Sequence, residues 1–472
     1  MKTNFVKLRW LFTMLLFVTT MIMPTMMLAK SIDLKIPEGD GAGTPYKIGT
    51  AEELYWFAGL VNGTLPGVKK DLSANAILTD DIIVNTGVLD PNKDLVSGND
   101  FIEWIPIGKS SSDDDAYTGT FDGNGHTISG LYFNKSNSWY VGLFGCIGAE
   151  GKISNVGVSD SYFQSSNCPY IGGVCGSNSG ELQNCSNSST VIGKENEYRI
   201  GGVCGYNSGT VKDCKNTGSV RGKETIGGVC GYNERRYNEK GGIIENSFNE
   251  GTVSGTGDYD VLNIGGVCGY NYGGTIKSCY NTASVSVIGK KVGGVCGDNS
   301  DGTSTITNCF NEGTVRGKET IGGVCGNNSG TIKSCYNTAS VSGQYSVGGV
   351  CGDNYEGPIT NCYYLSGTVA DGKGGIGGKD DENGKAVEMS KDRFKSGEVA
   401  WLLNGSKSVS TEESTLAWYQ KLGENADAYP VLTSTGDNTV YGGYQHGSRV
   451  RFFSNTVQHS TGECKLNCVK LQ

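Results

Sequence analysis

The feature that most restricts the fold is a phrase written seven times, as in IGGVCGYNSGTVKDCKNTGSV at 200–220. IGGVCG begins at 171, 200, 226, 264 and 321, and VGGVCG at 292 and 347. The second glycines stand at 173, 202, 228, 266, 294, 323 and 349, giving steps of 29, 26, 38, 28, 29 and 26 residues. A degenerate copy, YVGLFG, lies at 140–145. Constant phrases at elastic spacing mean one structural unit stacked repeatedly, with loops of variable length. A catalytic site is needed once, so so often repeated a phrase builds a scaffold.

Each unit holds three short runs rich in Val, Ile, Thr, Ser and Cys, such as IGGVCG, GTIKSCYN and TASVSG, separated by Gly, Asn, Asp or Ser. None reaches helical length or shows a helical period, so the runs read as strands. Three strands in about 28 residues make one coil of a parallel β-helix, whose coils pair along the axis about 4.8 Å apart. The expected fold class is all-β: a parallel β-helix (solenoid) of about eight or more coils, roughly 35 Å long by that spacing. Small helix-containing caps are expected at both ends, because open strand edges invite aggregation.

Two asparagine columns support stacking. One is Asn178, Asn207, Asn233, Asn271, Asn299, Asn328 and Asn354; the other is Asn187, Asn216, Asn249, Asn281, Asn311 and Asn337, ending at Tyr364. Amide side chains stacked at one period can bond to each other and to loop backbone. A calcium-binding turn would need a dense carboxylate pattern, which only Asp298 and Asp353 approach.

The chain has 17 cysteines, seven of them after GGV (Cys175, Cys204, Cys230, Cys268, Cys296, Cys325, Cys351). Six more follow ten to thirteen residues later (Cys185, Cys214, Cys279, Cys309, Cys335, Cys362). In an exported protein this invites one disulfide per coil. Phe144 and Val156 in the degenerate coil, and Ser247 in the coil of Cys230, stand at the same positions and favour the other reading: inward core slots holding reduced, buried thiols. With no CxxC and three histidines, zinc is not expected. Cys464 and Cys468 in the tail could pair or react.

Glycine (74 residues) is heavily used and the net charge of −9 is dispersed, with no basic stripe to track a phosphate backbone, so nucleic acid is not an expected partner. Residues 1–29 read as a secretory signal peptide, with Lys2, Lys7 and Arg9 before an apolar run. No later stretch is long and apolar enough to cross a bilayer. The expected organisation is then a cap and opening coils at 44–133, the repeat solenoid at 134–369, a Gly-rich linker at 370–385, a C-terminal capping segment at 386–445 and an unassigned tail at 446–472. Thr50 should N-cap a helix in AEELYWFAGLVNG whose face Leu54, Phe57, Ala58 and Val61 lies on the first coil. SGEVAWLLNG (396–405) reads as a second short helix.

The double-glycine phrase joined to GTIKSCYNTASV resembles the GLUG repeat of bacterial secreted and surface proteins, including adhesin-like proteins and some IgA metallopeptidases. TPYKIGTAEELYWFAGLVNG (44–63), WIPIG (104–108), YTGTFDGNGHTISGLYF (117–133) and KSGEVAWLLNG (395–405) resemble the segments that open and close such solenoids. The resemblance implies bacterial origin and surface display, and little chemistry. The chain contains no HExxH, which sets it apart from the metallopeptidases.

β-Helix enzymes acting on polysaccharides cluster Asp, Arg, Lys or His on one face. Here His126, His446 and His459 are dispersed and the acids fall mainly in variable loops such as KENEY (194–198), so no catalytic residue and no cofactor is assigned. One row stands out: Phe248, Tyr280, Phe310, Tyr336 and Tyr363 occupy one position in five consecutive coils. Flanked by inward residues, they should point outward as an aromatic stripe about 19 Å long, which stabilises the sheet by stacking, lies under a neighbouring loop, or is open to a sugar or a partner. The expectation is a secreted or cell-surface, non-enzymatic, monomeric rod that meets glycans or host proteins through its loops and this stripe. A polysaccharide-degrading enzyme and a purely structural spacer are the alternatives.

Overall fold

The computed structural model describes residues 32–98, 100–112, 114–167, 169–194, 199–235, 241–255, 262–370, 373–377, 385–406, 416–422 and 426–432, with backbone alone at 261, 441–446 and 449–454. The expected signal peptide, Cys464 and Cys468 lie outside the described residues.

The repeats form a β-solenoid of parallel strands with four walls to the coil rather than three. IGGVCG supplies two strands, not one. In the coil beginning at 170, Tyr170–Gly172 belongs to a first wall and Cys175–Asn178 to a second; Glu181–Gln183 forms a third wall and Ser186–Gly193 the fourth. The first and second walls contain eight strands each, and the third contains eleven. In most coils the fourth wall splits into two ladders, as in Lys215–Asn216 and Ser219–Gly222. The third wall begins at Tyr46–Ile48, so the segment before the repeats already winds with them.

The glycine pair explains the extra corner. A Cβ on Gly202 would lie 2.1 Å from the Gly228 carbonyl oxygen and 2.3 Å from Asn216 Cγ. A Cβ on Gly228 would meet Asn249 Cγ at 2.3 Å, and one on Gly266 would meet Asn281 Cγ at 2.3 Å. Glycine is required here because backbone and amide approach closely, not because the backbone is left-handed. The chain turns at GGV and the next strand starts on a new wall.

Register is constant along the stack. Phe144 pairs with Cys175, and the column continues through Cys204, Cys230, Cys268, Cys296 and Cys325 to Cys351. Both asparagine columns are hydrogen-bonded ladders. Asn178 Nδ2 donates to Asn207 Oδ1, and Asn207 to Asn233, Asn233 to Asn271 and Asn271 to Asn299, each at 2.8 Å. The second ladder runs from Asn187 through Asn216, Asn249, Asn281 and Asn311 to Asn337, again at 2.8 Å per step. Every one of these amides is buried, so each bond satisfies groups that would otherwise be costly to enclose.

All fourteen cysteines among the described residues are buried and unbridged. The two columns stack on their own copies instead of pairing across a coil. Cys185 N–H donates to Cys214 Sγ at 3.4 Å, and Cys309 N–H to Cys335 Sγ at 3.4 Å. Where serine replaces cysteine, Cys214 N–H donates to Ser247 Oγ at 3.1 Å, so the slot takes a small side chain and does not need sulfur as such. Burial away from any countercharge pushes the Cys175, Cys230 and Cys325 thiols well above the usual range. Such thiols are poor nucleophiles.

A further column went unread in the sequence. Asn155, Asn184, Asp213, Asn246, Ser278, Asn308 and Ser334 turn the chain between the third and fourth walls with φ between 50° and 56°. Asn and Asp tolerate this left-handed region best among residues with side chains. Asn184 Nδ2 donates to Asn155 Oδ1 at 2.8 Å and Asn246 Nδ2 to Asp213 Oδ1 at 3.2 Å, so the turns are also cross-bonded on the outside.

Helix α1, Ala51–Asn62, closes the N-terminal end. Thr50 accepts from Glu53 N–H at 3.3 Å, and Gly63 ends the helix at φ 65°. It is buried on more than the expected face: Tyr55, Trp56 and Leu60 are enclosed too. The segments that follow wrap it, with Tyr55 Oη donating to Glu103 O at 2.8 Å and Asn62 Nδ2 to Pro106 O at 2.9 Å. At the other end Gly375–Gly377 lies along the last coil, Val350 N–H donating to Gly375 O at 2.9 Å. Ala386–Met389 extends the fourth wall beyond Cys362–Leu365. Two short helices follow, α2 (Lys391–Lys395) and α3 (Glu398–Leu403). Tyr441–His446 and Arg449–Ser454 pair as an antiparallel hairpin that runs from the end of the expected capping segment into the segment left unassigned from sequence.

Candidate functional site

The five residues expected to form an outward stripe do stack in register on the fourth wall. Ring centroids are 4.6 Å apart for Phe248–Tyr280, 4.8 Å for Tyr280–Phe310 and 5.1 Å for Phe310–Tyr336, with planes within 9° of parallel. Their exposure requires correction. Phe310, Tyr336 and Tyr363 are buried, and only Phe248 and Tyr280 stay half-buried. The chain after 386 folds back over them: Trp418 lies 6.1 Å from Phe310 and 5.3 Å from Tyr336, and Phe394 lies 5.8 Å from Tyr336. Tyr336 Oη donates to Pro430 O at 2.7 Å. Alternation correctly turns these rings away from the coil interior. The apolar side chains of α2 and α3 then need a surface to bury, and the rings supply it.

Stacking imposes a second limit. Each ring spends its faces on its neighbours, leaving edges outward, whereas a sugar stacks on a ring face. At the N-terminal end the stack stops at Phe248, whose register partner in the preceding coil is Lys215 and not another ring. Burial beside Glu250 and Glu312 pushes the Tyr280 phenol up to about 12.

The structure adds an aromatic row that sequence reading missed. It follows the first and second walls through Tyr140, Tyr170, Tyr206, Tyr232, Tyr270 and Tyr272. Tyr140 and Tyr170 stack at 5.0 Å, but Tyr170–Tyr206 is edge-on at 75° and Tyr232–Tyr270 is tilted by 56°. The Arg199 guanidinium lies 5.1 Å from the Tyr170 ring, 5.7 Å from Tyr206 and 4.7 Å from Tyr232. A cation over ring faces is attracted by the ring quadrupole, and here it braces three tyrosines at once. Tyr206 Oη also donates to Glu234. Tyr272 is 41% exposed and Trp139, next to Tyr140 in the chain, is 66% exposed. The available signal was CGYN, written at 204–207, 230–233 and 268–271; its tyrosines alternate outward between an inward Cys and an inward Asn.

Asp298, one of the two acids nearest to a calcium pattern, is buried beneath Lys291 at 2.7 Å and accepts from Ser300 Oγ at 2.7 Å and Asn327 Nδ2 at 2.8 Å. His126 Nδ1 stands 3.5 Å from Asp81 Oδ1 in the chain's opening coils. Among the described residues no group of three or more His, Cys, Asp or Glu could hold a metal ion, and no helix is long and apolar enough to cross a membrane.

Two stretches, residues 196–221 and 260–286, match the family described as the GLUG motif. The chain carries GLUG repeats. The first stretch spans one turn of the solenoid, from the Arg199 corner through Cys204, Asn207 and Cys214 to Asn216. The chain is 38% identical over 84 residues to halomucin of Haloquadratum walsbyi, covering 18% of this chain and 1% of halomucin. It is 33% identical over 78 residues to a "Putative Gly-rich membrane protein" of Evansella cellulosilytica, covering 16% of this chain and 9% of that protein. The chain thus spans a small part of the length of these relatives. A crystal structure from Bacteroides ovatus, described as a "putative immunoglobulin A1 protease", is similar at 20% identity and a TM-score of 0.42, over 85% of this chain and 96% of that one.

Proposed function

We propose that this GLUG-repeat protein is an exported, non-enzymatic rod displayed at a bacterial cell surface, where it binds glycans or proteins through the side of its solenoid. The observation that carries this reading is the tyrosine row braced by Arg199. Tyrosine presents a large apolar body and a polar tip at low entropic cost, which suits a surface that must be wet and still bind. The names of the relatives, a halomucin and a membrane protein, support a location outside the cytoplasm, as does the basic-then-apolar start of the chain.

The mature chain should bind members of a glycan and extracellular-protein array as a monomer. Tyr232→Ala combined with Tyr270→Ala should weaken that binding by about tenfold or more while circular dichroism stays unchanged. Binding to every array member that is unchanged by this pair removes the tyrosine row from consideration. Release of reducing ends or unsaturated uronic products from any polysaccharide would overturn the non-enzymatic reading.

A further inference from the structure

The outward column of the fourth wall changes character abruptly. Gly157 pairs with Ser186, Ser186 with Lys215, and Lys215 with Phe248, after which every coil presents a ring. Small side chains followed by a ring make a step. On its low side lies an open trough of about 290 Å³, floored by Gly157 and Ser186, ended by Phe248 and Lys215, and flanked by Asn184 and Asp213.

We propose that this trough binds one hexopyranose unit of a glycan. It rests on the reading of the chain as a surface binder only for where the sugar is met; the site is separate from the tyrosine row. Three features fit that ligand class. Phe248 lines one end of the trough and supplies an aromatic wall for the apolar face of a pyranose. The flank offers acceptors: Asn184 uses its Nδ2 on Asn155 Oδ1 and Asp213 receives Asn246 Nδ2 through Oδ1, which leaves Asn184 Oδ1 and Asp213 Oδ2 for sugar hydroxyls. Lys215, exposed beside them, supplies a donor. The volume is at the small end of ligand sites, enough for a single ring. The flank is fixed by the left-handed turns at Asn184 (φ 52°) and Asp213 (φ 53°), so the acceptors are held in place before any ligand arrives.

The test is saturation-transfer NMR and titration of the mature chain with D-glucose, D-galactose, D-mannose and N-acetyl-D-glucosamine. At least one should bind, and Phe248→Ala and Asp213→Asn should each weaken it by about tenfold or more. Asp213→Asn keeps the side-chain shape and a residue type that accepts the left-handed turn, so it reports on the site if Phe248→Ala disturbs the wall. The Tyr232→Ala, Tyr270→Ala pair should leave sugar binding unchanged. No binding by any of the four sugars, or binding indifferent to both trough variants, overturns the proposal. Binding lost only with the tyrosine pair also overturns it, and leaves the surface-binding reading standing.

Discussion

Replacing Asn249 with alanine removes four hydrogen bonds in one step. Asn249 Nδ2 donates to Asn281 Oδ1 at 2.8 Å and Gly251 O at 2.7 Å, while Oδ1 accepts from Asn216 Nδ2 at 2.8 Å and Gly251 N–H at 3.2 Å. Asn216 keeps Gly218 O as a second acceptor, at 3.2 Å. Asn281 Oδ1 and Gly251 N–H are left without those partners in a fully enclosed setting. Each stranded buried group costs about 1–3 kcal/mol, so the substitution should cost about 2–6 kcal/mol. Thr282→Ala, on an exposed neighbour, should stay within about 0.5 kcal/mol of the parent. The assay is urea unfolding followed by far-ultraviolet circular dichroism, read as the midpoint shift at constant slope. Because a solenoid is held by nearest-neighbour contacts, the break can also split the transition into two, one for each side of the damaged coil. If Asn249→Ala costs no more than Thr282→Ala, the claim that amide ladders hold the coils in register is wrong.

Other consequences can be measured as directly. Titration of thiols in denaturant without reductant should count at least the fourteen buried cysteines as free, while the folded protein reacts slowly; a count near zero would mean a disulfide framework. Ser278→Asn should raise stability by about 0.5–1 kcal/mol, because Ser278 sits at φ 54° and asparagine tolerates that region better; a lower midpoint would refute the strain argument. Burial raises the Glu312 carboxyl above its ordinary value, with the Tyr336 hydroxyl pulling the other way. A carboxyl raised in the folded state gives its full stability below the unfolded value and loses it as pH rises through the folded one. Glu312→Gln should therefore gain on the parent as pH rises above the ordinary carboxyl range, and a difference that does not vary with pH would exclude this cause.

The solenoid was legible because register is a sequence property in a repeat: Asn207 lies over Asn233 as the spacing requires. The number of walls was not. GGV looks like the middle of a strand until the close approach of Gly202 to Asn216 shows that it is a corner. The left-handed turn column was hidden because Asn, Asp and Ser share it without spelling a fixed letter. Outward orientation of Phe310 and Tyr336 could be read from alternation, but their burial depends on Phe394 and Trp418, which arrive from distant sequence. The tyrosine row escaped for a related reason: Tyr170 and Tyr206 stand on different walls, and only the folded corner brings Arg199 between them.

The amides of each ladder all point the same way, the donor nitrogen of one turn toward the oxygen of the next. Such an array has a head and a tail, and any added turn must join it in the same sense. A newly inserted turn would find its acceptor waiting on one side and its donor wanted on the other. Genes can therefore lengthen or shorten this protein by whole cassettes without redesigning the junctions, and the letter-identical RGKETIGGVCG stretches at 221–231 and 316–326 fit such copying.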